Sequence, residues 1–202
     1  MKQLNKNKLQ NSLRIKFLKS KVNMIAPETI YFSKDTKIGK NVTIEPFVVI
    51  GSKVKIKNNV KILSFSHIEG VVINENVSVG PFCRLRPGTV LEKNSKIGNF
   101  VEVKKSKISH DVKISHLSYV GDSVIEKNTN IGAGTITCNF DGFKKNKTYI
   151  GENCFIGSNT SLIAPIKIKK NSVIGAGTVI DKNVQEGSVV YRKSKLIKKD
   201  KK

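Results

Sequence analysis

An aliphatic side chain recurs at every sixth position over most of this chain, beginning with Ile38, Ile44, Ile50, Ile56, Ile62 and Ile68. The register slips by one residue and resumes at Ile73, Val79, Leu85, Leu91, Ile97 and Val103. Further slips set apart Ile108, Ile114 and Val120, then Ile125 and Ile131. A final run reads Ile150, Ile156, Leu162, Ile168, Ile174 and Ile180. Glycine often follows the aliphatic, as at Gly39, Gly98, Gly132, Gly157 and Gly175, and valine or a small residue often stands four positions on. Such a period matches neither an amphipathic helix nor a simple alternating strand. It suits a short strand and a tight corner, with the aliphatic turned inward and Gly or Asn easing the backbone at the turn. Three units close a triangular coil of about eighteen residues, and coils stacked at about 4.8 Å merge their apolar faces into one core. The predicted fold is all-β, a parallel β-helix of hexapeptide repeats.

The period fades near both ends and once in the middle. Residues 1–26 contain no acid and set Leu4, Leu9, Leu13, Phe17 and Leu18 along an approximate apolar face. That predicts a short N-terminal helix ahead of a β-helix over residues 27–190. The segment CNFDGFKKNKT, Cys138 to Thr148, has no aliphatic and reads as a loop thrown out of the coil. Loops on rigid scaffolds tend to carry function. Residues 191–202 form a basic tail, expected to fray.

Composition narrows the chemistry. The formal charge of +22 attracts anions. Basic residues are not interleaved with aromatics as in single-strand binders, so an anionic metabolite is a better partner than nucleic acid. Cys83, Cys138 and Cys154 are odd in number and form no CxxC pair, which fits a reducing cytoplasm rather than a disulfide framework. His67, His110 and His116 share no zinc spacing with the cysteines, so no metal is expected. No segment is long and apolar enough to span a bilayer, and no signal-peptide core stands out.

Spacing picks out candidates. Arg86 and Lys104 are eighteen residues apart, one full coil, and stack on one face. Stacked cations repel unless an anion lies between them, and phosphate suits an Arg fork beside a Lys point charge. Two solvated surface cations would share that spacing, and among 37 Lys and Arg residues spacing alone favours this plainer reading. Ser158 and Ala176 share the interval and leave a smooth groove for an extended cofactor, although ordinary corner packing would do the same. His116 lies in the polar stretch SHLSYVGD, where a neutral imidazole can accept a proton.

Longer segments carry a resemblance. GPFCRLRPG, KIGNFVEVKKSKI, HLSYVGD, NIGAGTITCNFDG, FIGSNTSLIAPIKI and VIGAGTVI closely resemble the acetyltransferase half of the bacterial N-acetylglucosamine-1-phosphate uridyltransferase / glucosamine-1-phosphate N-acetyltransferase family. The likeness covers nearly the whole chain and is tightest over residues 79–181. It implies a left-handed β-helix, a homotrimer with active sites between subunits, and acetyl transfer from acetyl-CoA to the 2-amino group of glucosamine 1-phosphate. It implies that Arg86, Lys104, Tyr119 and Lys145 bind the sugar phosphate, that Asn130 binds the sugar, and that His116 is the general base. Ala133, Asn139, Phe140, Ser158 and Ala176 would line the acetyl-CoA site, joined by either Arg192 or Lys193. Backbone N–H groups near Gly132–Gly134 or at Ser158 are candidates to hold the oxyanion. Phe140 departs from the family's usual Tyr. The uridyltransferase half, with its Gly-rich nucleotide loop, does not occur in these residues, so UTP chemistry is not expected of them by themselves; a separate uridyltransferase chain and a reduced pathway are both open. A different acceptor amine and a non-catalytic scaffold are the alternatives.

Overall fold

The computed structural model describes residues 2–193. Most of the basic tail expected over residues 191–202 lies outside the described residues. After helix α1 (Lys2–Lys19), the chain winds through strands of two to four residues into three parallel sheets of ten, nine and eight strands. The first sheet runs from Asn23–Met24 to Val189–Val190, the second from Tyr31–Phe32 to Val179–Ile180, and the third from Lys37–Ile38 to Ile166–Ile168. Consecutive strands belong to different sheets, and each pairs with the strand one coil away, as the six-residue period requires. The winding begins at Asn23–Met24, paired with Thr43–Ile44, so the first coil starts ahead of the expected boundary at residue 27.

The inward file of each sheet is the aliphatic repeat itself. Ile44, Ile62, Val79, Ile97 and Ile114 line the first sheet and are fully buried, as are Ile68, Leu85, Val103 and Val120 on the second. Each slip in the period is a coil shortened by one corner residue, since Ile62 sits in register with Val79, and Ile97 with Ile114. The second sheet breaks the pattern at Thr137, which is buried among aliphatics and accepts the Gly121 N–H on its hydroxyl at 2.8 Å.

The corners use the left-handed region of the backbone, which Asn tolerates better than most residues. Asn41, Asn59, Asn76 and Asn94 all adopt positive φ at one corner. Their amides form a ladder with steps of 3.3, 3.1 and 3.1 Å. At the corner between the first and second sheets the same conformation is held by Phe47, Phe65, Phe82 and Phe100, where bulky residues are uncommon. Their rings stack face to face at 4.8–5.1 Å, which offsets the strain.

Helix α1 caps the open upper edge. Leu13 and Phe17 are buried and Leu9 packs partly against the core, while Leu18, expected on the same face, stays 47% exposed. The Gln10 side chain exchanges two 2.9 Å hydrogen bonds with the backbone of Phe32, as a neighbouring strand would. This covers an edge that would otherwise invite another chain.

Candidate active site

Register fixes where the candidates fall. On the first sheet Ile97, Ile114, Ile131, Ile156, Ile174 and Val190 are successive partners. Two residues further along each coil, at the corner with the second sheet, come Asn99, His116, Ala133, Ser158, Ala176 and Arg192. One vertical file therefore carries the candidate base, three small residues assigned to the acetyl-CoA site, and a terminal cation. Lys193 follows directly, so the two candidate cations are neighbours in the chain. Spacing alone showed only the Ser158–Ala176 step, because a shortened coil separates His116 from Ala133 and the inserted loop separates Ala133 from Ser158.

Glycines keep this file shallow. A Cβ on Gly132 would lie 2.5 Å from the Ser158 nitrogen, against the backbone of the next coil. The Gly132 N–H donates to the Ile156 carbonyl at 2.7 Å, which removes it from the expected oxyanion donors and leaves Ala133, Gly134 and Ser158.

His116 is exposed, and its Nδ1 lies 2.5 Å from Asn99 Oδ1. An amide oxygen only accepts, so Nδ1 carries the proton and Nε2 is left as the free acceptor. That is the tautomer a general base needs. Asn99, which had no place among the sequence candidates, is its orienting partner, and the in-register pairing of Asn99 with His116 is the signal that finds it.

The expected cation stack is organised differently. Arg86 and Lys104 do lie on adjacent coils at the far edge of the second sheet. Each has its own carboxylate: Arg86 pairs with Glu102 at 2.8 Å and Lys104 with Asp122 at 3.6 Å. The stack therefore needs no external anion to relieve its repulsion, in line with the plainer reading that spacing alone favours. The Glu102 hydrogen bond raises the Arg86 pKa further. Asp122 also accepts from the Asn139 amide at 2.6 Å, and Asn139 reaches the Tyr119 hydroxyl at 3.5 Å. Gly121 makes room for this network, since a Cβ there would lie 2.6 Å from the Tyr119 hydroxyl.

The inserted loop leaves the coil at the corner between the second and third sheets. Asp141 organises it by accepting the Phe143 and Lys144 N–H groups at 2.9 and 2.8 Å and the Asn146 amide at 2.8 Å. These bonds hold its pKa down at about 2. Lys145 lies 3.9 Å over the Phe140 ring, a cation–π contact that needs no tyrosine hydroxyl.

Within one chain the candidates do not converge. Asn130 faces out from the first sheet, the His116 file occupies the next corner, Tyr119 begins the second sheet, and Arg86, Lys104, Asn139 and the loop lie beyond it. Among the described residues no group of three or more His, Cys, Asp or Glu side chains could hold a metal ion. No helix among them is long and apolar enough to cross a membrane.

Known proteins match this architecture. Family profiles match for the hexapeptide repeat of succinyl-transferase over residues 147–182, the bacterial transferase hexapeptide over residues 35–70, and the GMPPB C-terminal domain over residues 67–140. The bifunctional protein GlmU of Zymomonas mobilis is 53% identical over 185 residues, covering 92% of this chain and 41% of that protein. The same-named protein of Wolbachia pipientis wMel is 48% identical over 190 residues, covering 94% of this chain and 44% of that protein. The chain thus spans well under half the length of these curated relatives. Among solved structures, the Campylobacter jejuni UDP-N-acetylglucosamine acyltransferase superposes with a TM-score of 0.60 at 15% identity, over 80% of this chain and 68% of that one. LpxA from Acinetobacter baumannii gives 0.56 at 16% identity, over 86% and 70%. At such identities the likeness speaks for the fold alone. With its hexapeptide coils, and with about half of its residues shared with GlmU proteins over nine tenths of its length, the chain belongs to the GlmU family.

Proposed function

We propose that this chain transfers the acetyl group of acetyl-CoA to the 2-amino group of glucosamine 1-phosphate, yielding N-acetylglucosamine 1-phosphate for UDP-GlcNAc and cell-wall synthesis. The observation that carries this reading is the file beneath His116. A base with its Nδ1 proton committed to Asn99 stands at the head of a bare strip formed by Ala133, Ser158 and Ala176 and ended by Arg192, with Lys193 beside it. An extended thioester fits such a strip, with its anionic end at the cations and its acyl end at the imidazole.

Acetyl-CoA supplies the activated carbonyl carbon. His116 Nε2 accepts a proton from the attacking amine as the C–N bond forms, and the proton leaves with the CoA thiolate as the C–S bond breaks. The Ala133, Gly134 or Ser158 N–H groups would stabilise the oxyanion between those events. Asn130 would position the sugar, Tyr119 and Arg86 its phosphate, and Lys145 would add the positive charge that Lys104, paired with Asp122, supplies only in part. Asn139 and Phe140 would shape the acyl-donor side.

The spread of these residues around the coil supports a site assembled between copies, in a homotrimer. The free state of all three cysteines suits a cytoplasmic setting.

The carboxylate partners of Arg86 and Lys104 favour a second reading, acetyl transfer to an amine without phosphate, because that cluster is already charge-balanced. CoA release separates the two. Release that requires glucosamine 1-phosphate, and is much slower with glucosamine, supports the first reading. Equal rates support the second, and no release with either acceptor counts against both.

A further inference from the structure

Phe143, at the tip of the inserted loop, is 96% exposed and the most exposed large apolar side chain among the described residues. Single exposed apolar residues are ordinary on protein surfaces. This one is held outward by built structure. The Asp141 carboxylate takes the N–H of Phe143 itself and of Lys144, the Asn146 N–H bonds the Asn139 carbonyl at 2.7 Å, and Phe140 bridges Lys145 across the loop base. A loop fixed before binding loses little entropy when its tip is covered.

A receiving surface lies one corner away. The Phe ladder ends at Phe100, 54% exposed, and one coil lower the same file holds Leu117, 59% exposed and next in sequence to His116. The ladder and the loop flank opposite edges of the second sheet, so the solenoid of one chain keeps them apart. Between copies the geometry differs. Rods placed side by side around an axis along the solenoid keep every coil at its own height, and each contact in such a ring joins two different patches. The loop leaves the coil that carries Ala133 and Gly134. Leu117 stands about 5 Å above that coil and Phe100 about 10 Å above it, at the spacing of stacked strands. A segment running from Asn139 to Lys147 can cover that offset.

We infer that Phe143 of one copy packs against Leu117 and Phe100 of the next, docking the loop so that Lys145 stands beside the neighbour's His116. The contact rests on the proposed arrangement of sites between copies. It makes Phe143 a positioning residue, acting through the loop that carries Lys145. It also commits the ladder's lower end to one occupant, a second copy of this chain.

Cross-linking tests the contact without reading activity. Phe143→Cys and Leu117→Cys chains, carrying different tags, are co-expressed and oxidised. The expected result is a covalent dimer that joins the two tags. Pairing Phe143→Cys with Phe47→Cys, far up the same ladder, should give none. A stable oligomer without the Phe143–Leu117 link overturns the contact and leaves the proposed reaction standing. A link in a protein that releases no CoA upholds the contact and sinks the reaction. A monomer at assay concentrations overturns the contact. In kinetics, Phe143→Ala should raise KM for the acceptor about tenfold with the melting temperature unchanged, and Phe143→Tyr should restore it. An unchanged KM in Phe143→Ala would overturn the positioning role.

Discussion

The corner between the first and second sheets is one backbone device put to two uses. In the upper coils its left-handed position is filled by Phe47, Phe65, Phe82 and Phe100, and in the lower coils by Leu117, Gly134, Asn159 and Gly177. Beside these stand Pro46, Ser64, Pro81 and Asn99 above, then His116, Ala133, Ser158 and Ala176 below. The φ angles are similar in the two halves, so the winding does not dictate the difference. The upper half spends the corner on ring stacking, which holds coils together. Below Leu117 the corner is stripped to backbone and small side chains, which stabilise little and leave an open strip headed by His116.

Substitutions that carry the character of one half into the other should have the largest effects. Ala176→Phe puts a ring into the bare strip at an exposed position, so the fold should survive. We expect kcat/KM for acetyl-CoA to fall about a hundredfold, a loss of roughly 2.7 kcal/mol of transition-state binding, with melting unchanged. Steady-state kinetics read this directly, and an unaffected KM for acetyl-CoA would place the donor elsewhere. Asn99→Ala should cost about tenfold in kcat, because the imidazole loses the partner that fixes its tautomer and direction. Asn99→Asp should move the acidic limb of the pH–rate profile upward, since a carboxylate at Nδ1 favours the imidazolium and the base is then freed only at higher pH.

Smaller effects belong to stability and local order. Phe82→Ala removes the middle of the stack and should cost about 1 kcal/mol by thermal unfolding, with kcat untouched. A fall in kcat would mean that the two halves are coupled. The Asp141 carboxylate is held at about 2, below its ordinary range, mainly by the Lys144 and Phe143 N–H groups. The order it lends the loop is therefore full above that ordinary range and is lost as pH falls through about 2. Amide exchange at Phe143 and Lys144 should stay protected down to about pH 3 and give way below it; loss near pH 5 would contradict the cap.

Most of the fold was legible because the repeat is the core. Each inward aliphatic announces its own strand, and the slips at Ile73 and Ile108 changed only coil length. The strand around Thr137 was not legible, because a Thr fills an aliphatic slot to serve the backbone at Gly121. The start of the winding at Asn23 was missed because Val22 and Met24 precede the clear period. Within the site, the Ser158–Ala176 and Arg86–Lys104 steps could be read because full coils separate them. The file joining His116 to Ala133 and Arg192 was hidden by coils of unequal length. Asn99, Glu102 and Asp122 act through partners one coil away, at intervals that no single period reveals.

Complementation between two inactive variants tests whether the site is shared between copies, with His116 from one and Lys145 from the next. Co-expressed His116→Ala and Lys145→Ala chains should each be nearly inactive alone. Mixed evenly in a closed ring, about a quarter of the sites would regain both side chains, so acetyl transfer should return to about a quarter of the wild-type rate. A mixture as inactive as its parts would contradict the account and place both residues in a single-chain site.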